Sequence, residues 1–180
     1  DYVGMKPTMM VDVGDEVKIG SALFEDKKNP GIFFISPAGG LIKSINRGEK
    51  RRFISIEIEV ADHENQVEIL NDDNEILLRN LSKYGFINYF RTRPFNKTPK
   101  PNDIPDDIFV NICDTNPLSV DPYIYLQPEI DIYNNSLTKL KEIYNCNIHV
   151  CYQNNDFNNF IDGINYYNFN GPHPAGLSGT

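Results

Sequence analysis

Hydrophobic and polar positions alternate most cleanly from Phe53 to Val60, where Ile54, Ile56, Ile58 and Val60 are interleaved with Ser55, Glu57 and Glu59. A period of two over this length predicts a strand with one buried and one wet face. Shorter apolar runs precede it: Met9 to Val13, Ala22 to Asp26, Ile32 to Ser36 and Leu41 to Asn46, with turns at Gly14-Asp15 and Gly20. No helical period appears before residue 61, so the first region is predicted to be a small β-barrel or sandwich.

The pattern changes at Ala61. Residues 62–74 are acidic and weakly apolar, which suits a boundary or a wandering strand. From Asp73 or Asn74 as N-cap, the spacing of Ile76, Leu77, Leu81 and Tyr84 predicts a helix over 75–84, with Gly85 at the left-handed closing position. A proline-rich connector runs to Pro105. Ile108 to Cys113 is a nearly continuous apolar run, expected as a strand buried on both faces. A helix is expected from about Pro128 at its first turn to Tyr144, with Ile132, Leu137, Leu140 and Ile143 facing inward, and "NIHVCY" from Asn147 as a second strand. Strand, helix, strand is a βαβ unit with parallel strands, so the second region is predicted to be α/β, an open doubly wound sheet cut short. The Asn-rich stretch 153–170 is attributed to compositional drift. There is no internal repeat.

The 180 residues are 40% apolar and 23% charged, with net charge −8 and an isoelectric point near 4.8. That balance argues against nucleic acid or an anionic lipid surface as the main partner and leaves cationic faces of protein partners open. Cys113, Cys146 and Cys151 cannot all pair within the chain, which suits a reducing, cytoplasmic setting. No apolar run reaches the ~20 residues of a membrane helix, and no signal peptide opens the chain. Neither end reads as a domain terminus, so a fragment of a longer polypeptide is expected.

Gly14-Asp15, Gly20 and Pro37-Ala38-Gly39-Gly40 surround Lys27 and Lys28 in the manner of a biotin- or lipoyl-carrier hairpin. A carrier lysine needs a tight tip at a fixed distance from its flanking strands. The tip Lys27-Lys28-Asn29-Pro30-Gly31 is long and stiffened by Pro30, so two solvated lysines on a loop are expected instead.

Taken together, "FEDKKNPG", "RGEKR", "RTRPF", "DTNPL" and "HPAGLSGT", in this order along nearly the whole chain, resemble the A-subunit family of the sodium-translocating NADH:quinone reductases, the redox-driven sodium pumps of bacterial inner membranes. The sequence departs from that family mainly in the Asn-rich stretch and around Ile87 to Phe90. The resemblance implies a carrier-like barrel-sandwich hybrid domain over 1–61, a connector with one helix over 62–106 and a Rossmann-like α/β domain over 107–180. It implies a peripheral subunit on the cytoplasmic face of a pump that oxidises NADH and reduces ubiquinone. This subunit would serve assembly and quinone docking without a redox cofactor of its own. FMN, riboflavin, FAD, a 2Fe–2S cluster and the sodium path would lie on the other subunits, which are the expected partners, with no direct membrane span. The competing reading is a free-standing carrier or flavin-binding enzyme domain, against which stand the long lysine tip and the lack of a glycine-rich flavin loop.

Three segments are candidate binding residues. Arg91 and Arg93, with Lys97 nearby, offer planar forks for carboxylates or phosphates, or else make internal salt bridges; Thr92 and Pro94 would keep the backbone extended with both arginines on one side. Asp114, Thr115 and Asn116 follow directly on a strand end, where open α/β sheets bind ligands, and are equally the residues that build turns. The loop from Gly171 through His173 to Gly176 could present backbone N–H groups to a phosphate or a quinone carbonyl, or be purely structural; it is neither a Walker loop nor a GxGxxG fingerprint. Cys146, His149 and Cys151 fit no zinc spacing, and a strand would put Cys146 opposite the other two. No catalytic and no metal residue is assigned.

Overall fold

The computed structural model describes residues 5–61, 66–67, 80–153 and 157–177. These fall into two compact units, 1–103 and 104–180.

The first unit is built on two three-stranded antiparallel sheets. One orders β1 (Pro7–Met9), β3 (Ala22–Asp26) and β4 (Phe33–Ile35); the other orders β2 (Glu16–Val17), β5 (Gly40–Arg47) and β6 (Phe53–Val60). Their inner faces close on Val17, Leu23, Phe24 and Ile42, with Met9, Phe34, Phe53, Ile56 and Ile58 around them. Phe24 stacks on Phe34 with ring centroids 4.7 Å apart and tilts against Phe53 at 5.1 Å, so one ring ties the two sheets together. Gly40 has φ 153°, and a Cβ there would lie 2.1 Å from the Glu59 carbonyl oxygen; only glycine lets β5 start this close to β6.

The alternation in β6 holds at its centre and fails at its ends. Ile56 and Ile58 pack on the core, while Ile54 and Val60 are exposed: the register skips Ile54 between the pairs Asn46–Ser55 and Arg47–Phe53, and Val60 is the last residue of the strand, opposite Gly40. The first strand is also earlier than expected, at Pro7–Met9 rather than Met9 to Val13. Of the helix expected over 75–84, residues 75–79 lie outside the described residues. Residues 80–83 are helical, Tyr84 N–H donates to Asn80 O at 2.9 Å, and Gly85 takes φ 71° as the left-handed closing residue. The following turn, Phe86–Tyr89, packs on this unit through buried Ile87 and through Asn88, whose Nδ2 donates to Phe33 O at 2.7 Å.

The second unit carries a parallel sheet ordered β7 (Asp107–Ile112), β8 (Asn147–Tyr152) and β9 (Asn165–Asn168). Helical structure begins at Pro122 rather than Pro128. Asp121 is the N-cap, its carboxylate accepting Tyr123 N–H at 2.9 Å, for α1 (Pro122–Leu126); a tight turn containing Pro128 leads into α2 (Ile130–Tyr144), which closes at Asn145 with φ 48°. Leu137 of α2 is buried with Ile148 and Val150 of β8, and Leu140 and Ile143 are half-buried; Ile132 alone departs from the expected inward stripe and is exposed, with Tyr133 half-buried beside it.

Strand β9 lies inside the stretch attributed to drift. The described residues of that stretch, 157–170, carry structure: Phe157 and Ile164 are buried, and Phe157, Phe160 and Tyr166 form one ring cluster with Tyr152, centroids 4.7 to 6.2 Å apart. Among the described residues the run Ile108 to Cys113 is not covered on both faces. Ile108 and Cys113 are buried, yet Phe109 is 66% exposed and stacks on His149 at 4.7 Å, with Tyr167 on the other side of the imidazole at 5.7 Å. Among the described residues, helix covers only the face opposite that row of rings.

Candidate functional site

Strand β7 ends at the point where two loops meet. Asp114, Thr115 and Asn116 leave the strand, and residues 171–176 return across the same end. Thr115 Oγ1 donates to Ala175 O at 3.2 Å and lies 3.4 Å from His173 Nδ1; Asn111 Nδ2 donates to Gly176 O at 3.0 Å. Five of the seven residues singled out in the sequence, Asp114, Thr115, Asn116, His173 and Gly176, are thereby gathered at one strand end. Ligands of open parallel sheets settle at such strand ends.

Each loop is held by its own chemistry. The Asp114 carboxylate accepts the Asn116 N–H at 2.9 Å, the Asn116 side-chain amide at 2.7 Å and the Ser119 hydroxyl, a turn closed by Ser119 N–H on Asn116 O. The Ser119 hydroxyl, then the two Asn116 donors and nearby His173, hold the Asp114 carboxyl below the usual carboxylate range. Gly176 has φ 71°, and a Cβ there would come within 3.0 to 3.1 Å of Cys113 and Phe169. Only glycine lets the returning loop lie on the strand end. Beneath it, burial, with a smaller push from Cys151, raises the Cys113 thiol to about 11.

These groups define what the strand end can do. A thiol with so high a pKa is no nucleophile near neutral pH. The Asn116 amide is spent on Asp114, and the Asp114 charge opposes an anionic ligand. What remains on offer is the exposed His173 imidazole, with the Thr115 hydroxyl, its proton given to Ala175 O, left as an acceptor beside it, groups suited to a neutral ligand.

Arg91 and Arg93 lie in the first unit, outside this constellation. The chain does not run extended through them: Thr92 N–H donates to Lys97 O at 2.7 Å and Asn96 takes φ 52°, so residues 92–97 fold back as a small loop. The Arg91 guanidinium donates to the carbonyls of Asn88 and Phe90, bracing the turn that carries it. Phe95 is 76% exposed, with Lys97 Nζ 5.7 Å from its ring centroid.

The lysine tip of the first unit is a closed turn. Buried Asp26 accepts the backbone N–H groups of Lys6 and Lys28, each at 3.1 Å, and the Asn29 side chain at 2.7 Å, while Glu25 accepts Gly31 N–H at 2.6 Å. Lys27 and Lys28 are exposed on it. Among the described residues no group of three or more His, Cys, Asp or Glu is placed to hold a metal ion.

Sequence reasoning does not find the cationic tip of the β5–β6 hairpin, Arg47 to Arg52. Its charge is legible in the sequence, but the conformation that makes it unusual is not.

Two antiparallel sheets closed as a barrel-sandwich hybrid, followed in one chain by a parallel α/β unit with ligand-type loops at its strand end, define a carrier-like plus Rossmann-like two-domain class. Residues 1–61 match the NqrA N-terminal barrel-sandwich hybrid domain, and residues 72–180 match the NqrA second alpha/beta domain. The chain belongs to the NqrA family. Over its whole length it is 43% identical to the A-subunit of the Na(+)-translocating NADH-quinone reductase of Yersinia pseudotuberculosis serotype O:1b and to that of Histophilus somni strain 2336, covering 42% of each. It is 42% identical to the protein of the same name from Actinobacillus pleuropneumoniae serotype 5b, covering 43% of it. The chain thus spans less than half the length of these relatives.

Proposed function

We propose that this chain is part of the NqrA subunit of a sodium-translocating NADH:quinone reductase, a peripheral subunit on the cytoplasmic face of the membrane that serves assembly and quinone docking. The observation that carries this is the match of both units, in order, to the two NqrA domains, with over 40% identity to curated NqrA-family relatives along the whole chain. The pump would oxidise NADH and reduce ubiquinone, with FMN, riboflavin, FAD and a 2Fe–2S cluster held by the other subunits. No helix among the described residues is long and apolar enough to cross a membrane, in keeping with a subunit that reaches the bilayer through partners. The domain division proposed is 1–61, connector 62–106 and 107–180.

Quinone docking is assigned to the strand end of β7. The His173 imidazole, held beside Thr115, offers a hydrogen bond to a quinone oxygen, and the Asp114 charge beside them disfavours phosphorylated ligands. Arg91 and Arg93 are assigned to docking against an acidic surface of a neighbouring subunit, with exposed Phe95 as apolar contact.

The test is tagged purification of the full-length polypeptide from membranes. Co-purification of membrane-bound flavoprotein subunits is expected. A full-length protein that purifies alone, or with a flavin of its own, would favour a free-standing enzyme domain. A Thr115→Val, His173→Ala double variant is expected to weaken binding of a soluble short-chain quinone at least tenfold; unchanged binding removes the quinone assignment.

A further inference from the structure

Four of the six residues from Arg47 to Arg52 are cationic and one, Glu49, is acidic, in a chain whose net charge is −8. They form the connection between β5 and β6, a tight turn over Glu49–Arg51. Arg47, Lys50, Arg51 and Arg52 are all exposed, and none forms an ion pair among the described residues.

The backbone of this tip is fixed and unusual. Gly48 N–H donates to Arg52 O at 2.7 Å, and Arg52 N–H donates to Glu49 O at 3.1 Å. Between them Lys50 has φ 53° and Arg51 has φ 60°. Two successive left-handed residues are the setting in which hairpins favour Asn-Gly or Gly-Gly, because a Cβ is disfavoured there. Here both positions carry long cationic side chains instead. Backbone strain kept at an exposed tip, with no ion pair among the described residues to hold its side chains, points to a use for the charges. Beside them Ile54 is 59% exposed and lies over Gly48, where a Cβ would be 3.1 Å from Ile54 Cδ1. The tip therefore offers an aliphatic contact flanked by arginines, the pairing of residue types that interface centres use.

We propose that this tip, Arg47 with Lys50, Arg51 and Arg52, is a docking surface for a carboxylate-rich segment of another subunit; this rests on the reading of the chain as part of an NqrA subunit. Three of the four cations are arginines, whose planar forks pair carboxylates two bonds at a time. An anionic bilayer is the poorer fit, since an extended negative plane meets the net negative charge of the whole chain, whereas a local acidic segment meets only the tip.

Carbodiimide coupling, which joins an amine to a carboxylate only in direct contact, tests this on the full-length polypeptide purified with its complex. Lys50 is the tip's amine, and a Lys50 linkage to an Asp or Glu of another subunit is expected. R51E/R52E is expected to reduce co-purification of the other subunits about tenfold, since like charges then face each other. K27E/K28E makes the same charge change on the same unit and should leave co-purification unchanged. K50G/R51G separates docking from folding: it should raise the melting temperature while weakening association. Lys50 without an intersubunit linkage, together with R51E/R52E co-purifying as wild type, overturns the inference. So does binding of wild type, but not R51E/R52E, to phosphatidylserine vesicles with co-purification unaltered. Wild type that brings down no other subunit would instead remove the reading beneath it.

Discussion

The Asp26 carboxylate accepts the Asn29 side-chain amide at 2.7 Å, and the same carboxylate gathers the backbone N–H groups of Lys6 and Lys28. One buried acid thus closes the turn that carries both exposed lysines and ties it to the chain entering β1. Replacing Asp26 by Ala leaves three donors without their acceptor, and a loss of about 3 kcal/mol is expected. Urea unfolding of the variant against wild type measures it, with Asp26→Asn falling between the two.

The same group sets an acid limit. Burial pushes the Asp26 carboxyl up, and the hydrogen bonds from Asn29, Lys6 and Lys28, with the Lys28 charge, outweigh it and hold it low. A carboxyl depressed in the folded state contributes stability above its unfolded value, about 3.9, and that contribution is lost as pH falls through the lower folded value. Wild type should therefore lose this contribution as pH falls below about 4. Asp26→Asn should show a shallower slope in that window, read from melting temperatures at stepped pH.

Lys27 and Lys28 are expected to remain unmodified. Their turn is pinned from inside by Asp26 and Glu25, so the tip cannot adopt the short hairpin a carrier lysine sits on. Intact mass after co-expression with lipoate and biotin ligases should show no adduct on either lysine.

Cys113 should be the slowest of the three thiols to alkylate. It is buried, and with a pKa of about 11 only about one molecule in ten thousand is thiolate at pH 7. Gly176→Ala should speed its reaction with iodoacetamide several-fold, because the new Cβ collides with Cys113 and Phe169 and lifts the covering loop. Peptide mass mapping of a labelling time course decides this.

The parts of the fold legible in the sequence are those where one pattern dominates. Ala22–Asp26 and Phe53–Val60 are strands with the bounds their apolar positions imply, and Gly85 and the parallel βαβ unit follow from cap and length rules. Where two rules compete, the reading fails. Asp121-Pro122 and Gln127-Pro128 both look like helix starts; the N-cap bond from Tyr123 N–H to Asp121 makes the earlier one real. Asparagine has a low strand propensity, which hides β9, yet Tyr166 on it joins the ring cluster with Phe157 and Phe160. Each strand-end loop reads, by itself, as a binding or a turn segment. That Thr115 meets His173 across nearly sixty residues depends on the parallel topology, which no local pattern carries. The left-handed pair Lys50 and Arg51 is hidden for a simpler reason: glycine is the usual letter for that conformation, and it is absent there.

The row of rings on the sheet face opposite the helix carries its own signal. Phe109, His149 and Tyr167 come from β7, β8 and β9, one from each strand, with the imidazole between the other two. The Phe109 ring lies nearly flat against the imidazole, at an interplanar angle of 16°. Its circulating electrons shield the His149 ring protons only once β7 and β8 have paired in register. Those proton frequencies are therefore a built-in clock for the slow, non-local step of closing the parallel sheet, readable in one-dimensional spectra as the chain refolds.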